Sequence, residues 1–87
     1  MKIYIVDTTI IDENGQMAVF EERFLDKDAA NEMIDDQIKV EKPYAETISD
    51  KRYDRIVDRI VKITFKEHKW YHGSYNKKIV LYTSEVQ

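Results

Sequence analysis

The chain has 87 residues, with 14 Lys and Arg against 17 Asp and Glu, a net charge of −3, two glycines, one proline and no cysteine. One small domain spanning 1–87 is the expectation at this length. Without cysteine there is no disulfide, thiolate zinc site or Cys nucleophile, and two glycines leave no room for a glycine-rich phosphate loop.

Residues 2–11 (KIYIVDTTII) are rich in β-branched and aromatic side chains and read as a first strand. The apolar run is broken at Asp7, so it does not read as a secretory leader, and a cytoplasmic protein is expected. No segment approaches the ~20 apolar residues of a membrane span. Asn14-Gly15 is a hairpin signal, and 16–25 (QMAVFEERFL) reads as the return strand, with Ala18, Phe20 and Phe24 on one face and Met17, Val19 and Leu25 on the other. Asp26 is the expected helix N-cap. Ala30, Met33, Ile34 and Ile38 then recur at helical spacing until Pro43 enforces a stop near Glu41.

Residues 44–50 read as a connecting loop. In 51–62 (KRYDRIVDRIVK), Tyr53, Ile56, Val57, Ile60 and Val61 fit a helical stripe, whereas the repeated Ile-Val favours strand. The expectation is a short helix over about 51–59 leading into a strand in which Val61, Ile63 and Phe65 alternate with Lys62, Thr64 and Lys66. A last strand is expected over 77–84. The order β-β-α-(α)-β-β defines an α+β fold: a two-layer, four-stranded, mainly antiparallel sheet with one helix packed on one face.

Charge is unevenly divided. Residues 1–50 carry 13 acidic and 5 basic side chains, and residues 51–87 carry 4 acidic and 9 basic. Two segments concentrate it. On the helix, Asp28, Glu32, Asp35 and Asp36 make an acidic stripe. In 62–78 (KITFKEHKWYHGSYNKK), Lys62, Lys66, Lys69, Lys77 and Lys78 are interleaved with Trp70, Tyr71 and Tyr75. Lysines neutralise phosphates and exposed aromatics stack on bases. The same aromatics anchor protein contacts, and lysines on an edge hairpin deter sheet-to-sheet pairing.

Nothing in the spacing indicates catalysis or a bound metal. The serines stand outside any Gly-x-Ser-x-Gly elbow, and His68 and His72 have only Glu67 as a nearby carboxylate. A non-enzymatic protein without cofactor or metal is expected.

The opening KIYIVDTTIIDENGQ hairpin and the FLDKDAANEMIDDQIK strand-to-helix run resemble the small accessory proteins of phages and other mobile elements, over roughly the first 40 residues. That resemblance implies a short protein that docks on a larger host or phage component, such as a nuclease or defence complex, and in some cases inhibits it. The basic second half departs from simple polyanion mimicry. The expectation is a protein partner met by Asp28, Glu32, Asp35 and Asp36 or by Trp70, Tyr71 and Tyr75. One alternative is nucleic-acid binding by Lys62, Lys66, Lys69, Lys77 and Lys78. The other is a self-associating module, a homodimer paired along a strand edge.

Overall fold

A computed structural model describes residues 1–65 and 75–86. The elements run β1 (Lys2–Asp12), β2 (Met17–Phe24), α1 (Lys27–Glu41), β3 (Thr47–Arg52), β4 (Val57–Phe65) and β5 (Tyr75–Glu85). The strands form one five-stranded antiparallel sheet in the order β2-β1-β5-β4-β3. The fold is thus α+β with a helix packed on one face, as expected, but the described residues form five strands rather than four.

The first hairpin turns through Glu13-Asn14-Gly15. Gly15 alone among the described residues has positive φ, at 81°. Its N–H donates to the Asp12 carbonyl (3.1 Å), and the Asp12 N–H donates to the Gln16 carbonyl (3.0 Å). This is a three-residue loop with the glycine in the left-handed position. The Asp12 carboxylate accepts from the N–H groups of Asn14 and Gln16, which pins the turn from within.

Asp26 caps α1 by accepting from the Asp28 N–H at 3.1 Å. The helix buries Ala30 and Ile34 and packs Met33 and Ile38 against the same core. Under it lie Val6 of β1, Val61, Ile63 and Phe65 of β4, and Tyr75, Ile79 and Leu81 of β5. These strands are central, so the core sits beneath the middle of the sheet and both edge strands are its periphery. Because α1 joins β2 to β3, the two opposite edges, it passes over one whole face. Among the described residues no second layer covers the other face.

The helix expected over 51–59 is not formed. Residues 47–52 are β3, paired with β4 from Thr47↔Thr64 to Arg52↔Arg59, and the chain turns at 53–56 with the Tyr53 N–H bonded to the Asp58 carbonyl. Helical spacing there was a coincidence of two strand patterns. A register shift between Val57 and Arg59 breaks the alternation of β4, so the consecutive residues Asp58 and Arg59 are both buried. The expected loop at 44–50 gives way to β3 for the same reason: pairing with β4, which no local pattern announces, makes it a strand. Among the described residues no helix is long and apolar enough to cross a membrane.

Candidate functional site

The most tightly knit polar group in the described structure centres on Arg59, which is 2% exposed. Its position follows from strand alternation: Arg59, Val61, Ile63 and Phe65 share the helix-covered face. The guanidinium donates from Nε to Asp50 Oδ1 (3.0 Å) and from Nη2 to Asp50 Oδ2 (2.8 Å), a two-point contact with β3. It also donates to Asp35 Oδ1 (2.6 Å) and to the side-chain and backbone oxygens of Asn31 (3.1 and 3.4 Å) on α1. These bonds hold the Asp50 carboxyl below its usual range and raise the guanidinium above its own. One arginine therefore fastens the helix to the outer hairpin. Sequence reasoning passed over Arg59, although its period-two spacing from Val61 placed it in the core.

This network divides the acidic stripe. Asp35 has its carboxylate committed to Arg59. Asp28, Glu32 and Asp36 are exposed, with no ion pair among the described residues, and follow one another at intervals of four. They form a line of carboxylates about 6 Å apart along the helix axis. Beside it runs a shallow trough of ≈ 430 Å³ lined by Ala29, Met33, Gln37 and Val40 as well as Glu32 and Asp36. Val40 is 67% exposed, an apolar side chain left in water.

The structure also divides the basic set. Lys77 lies on the helix-covered face with its amino group 3.5 Å from Glu41. Lys62 and Lys78 stand directly opposite one another on the open face, both exposed. Lys66, Lys69, Trp70 and Tyr71 lie outside the described residues. Tyr75 does not offer the contact surface expected of it: it is 9% exposed, and its ring stacks on Phe65 with centroids 4.3 Å apart, because residue 75 opens β5 on the core face.

Two smaller polar groups complete the picture. Asp58, 9% exposed, accepts from the Lys27 amino group (2.9 Å) and the Thr83 hydroxyl (2.6 Å), which ties the first turn of α1 to β4 and β5. The bond to Asp58 raises the Lys27 ammonium above its usual value. On the open face, desolvation and then the nearby Asp7 carboxylate push the Tyr82 hydroxyl up. Among the described residues no three His, Cys, Asp or Glu side chains gather to hold a metal ion. Comparison of the chain with protein-family models, curated proteins and solved structures finds no match.

Proposed function

We propose that this chain is a non-enzymatic binding domain that docks on a larger, basic protein through the outer face of α1. The observation that carries the reading is the unpaired line Asp28, Glu32 and Asp36 running beside the apolar trough at Met33 and Val40. A merely solvated helix face has no need of an exposed Val40. A polyanion mimic has no need of a trough. Together they suit a partner whose basic groove is edged by apolar side chains, the kind of groove that takes a phosphate backbone. Occupying that groove would inhibit a nucleic-acid enzyme, the mode of action expected from the resemblance to phage and mobile-element accessory proteins.

The test is affinity capture from a bacterial host lysate with the wild-type chain and with Glu32→Lys/Asp36→Lys. The reading expects a basic protein that the wild type retains, that single-stranded DNA elutes, and that the variant loses while its circular dichroism is unchanged. Identical captured sets for the two proteins would overturn it.

The second reading, nucleic-acid binding, is favoured by the Lys62–Lys78 pair on the open face. Like charges directly opposite one another across a ladder are unfavourable and are relieved by an anion. This reading expects salt-sensitive quenching of Trp70 by single-stranded DNA or RNA. It has fewer supports than the first: Lys77 is engaged elsewhere, and Asp7 and Glu21 lie opposite one another on the same face.

A further inference from the structure

β2 carries exposed apolar side chains on both of its faces, Met17 (62%) and Val19 (60%) on the open face and Phe20 (56%) on the helix-covered one, with Leu25 (75%) just past the strand. Among the described residues β2 pairs only with β1, so its other side presents backbone N–H and C=O groups that none of them bonds. Exposed edges are normally guarded by charge, proline or brevity. Residues 47–52 at the opposite edge follow that rule with Asp50, Lys51 and Arg52. In β2 the charges are confined to Glu21, Glu22 and Arg23, and 17–20 carries none.

The order of residues in β2 makes the edge complementary to itself. We propose that two copies of this chain pair through β2, antiparallel, about a two-fold axis at Glu22. In that register Glu21 of each copy faces Arg23 of the other, and Phe20 of each faces Phe24 of the other. Val19 of each reaches Leu25 of the other. Each of these off-axis pairings occurs twice, because a two-fold interface is self-complementary. The backbone agrees. The Asp12–Gln16 hydrogen bond makes the even-numbered residues of β2 the ones bonded inward to β1. The odd-numbered residues then point their N–H and C=O outward, and Glu21 and Arg23 are the pair this register bonds between copies. Glu22 falls on the axis as a non-hydrogen-bonded pair, the one like-charge meeting in the interface. The result is a continuous ten-stranded sheet in which Val19, Phe20 and Leu25 are covered, while Met17 lies beyond the paired stretch. This inference does not depend on the docking role of α1.

Analytical ultracentrifugation of the full chain over a dilution series tests it. The expected result is a mass that rises from one chain to two with concentration. Glu21 and Arg23 already meet within each strand at 3.6 Å, so Arg23→Glu replaces attraction by repulsion both within and between copies and should weaken association at least about tenfold. The double exchange Glu21→Arg/Arg23→Glu restores opposite charge in this register and should restore the dimer. Glu22→Gln removes the axial repulsion and should tighten it. Arg23 and Glu21 are 67% and 44% exposed, so the monomer should keep its fold, as circular dichroism will report. A mass of one chain at every concentration overturns the proposal. So does a dimer that ignores Arg23→Glu, or a double exchange that fails to rescue.

Discussion

Removing Asp50 should cost more than removing the arginine it binds. Asp50→Ala takes two hydrogen bonds from a guanidinium that is 2% exposed and leaves it with Asp35 and Asn31 alone. Breaking a buried pair by deleting one partner costs ~3–5 kcal/mol. Asp50 is itself 34% exposed and Asp35 remains, so about 2–3 kcal/mol is expected, a large share of the ~5 kcal/mol a domain of this size has. Arg59→Met acts differently. It leaves two carboxylates that water can reach and fills the space with an apolar chain, so its cost should stay near about 1 kcal/mol. In the Arg59→Met background, Asp50→Ala should be almost silent, giving a coupling of about 2 kcal/mol between the two sites. Urea unfolding of the four proteins of this cycle, with the slope held common, measures it. Equal costs for Asp50→Ala in both backgrounds, or Arg59→Met as the more damaging change, would refute the assignment of Arg59 as the fastener between helix and hairpin.

Further outcomes follow from the same geometry. Asp26→Ala removes the cap of α1 and should cost about 1 kcal/mol in urea unfolding, whereas Asp26→Asn should be close to neutral. Gly15→Ala meets no atom within 4 Å, so its expected cost, about 1 kcal/mol, is purely conformational and comes from the φ of +81°. Because Asp50 is held below its ordinary value of 3.8, its contribution is complete above that value and is lost as pH falls through the lower folded value. Stability measured from pH 7 down to strong acid should therefore fall less steeply in Arg59→Met than in the wild type.

What could be read from the sequence was local. The Asn14-Gly15 turn, the Asp26 cap, the Ala30-Ile34-Ile38 stripe and the Val61-Ile63-Phe65 alternation each lie within a few residues of chain, and each appears in the structure. What was hidden depended on pairing. All six residues of β3 are exposed, so it has no alternation to read, and it is a strand because β4 lies beside it. The bulge at Val57/Arg59 then disguised the start of β4 as a helix. The acidic stripe was visible, but its division was not. Asp35 and Asp36 are neighbours in sequence, yet a turn of 100° per residue sends one toward Arg59 and leaves the other on the outer face. Tyr75 was read by its type, as an aromatic among lysines, when its place on the core face of β5 decided its role.

The docking claim is tested most directly by reversing the two charge sets side by side in one capture experiment. Glu32→Lys/Asp36→Lys alters the helix line, and Lys62→Glu/Lys78→Glu alters the open face; all four side chains are exposed, so both variants should fold. The account predicts that the helix variant loses the captured protein and the sheet variant keeps it. Loss in the sheet variant with full retention in the helix variant would contradict it and move the binding site to the open face.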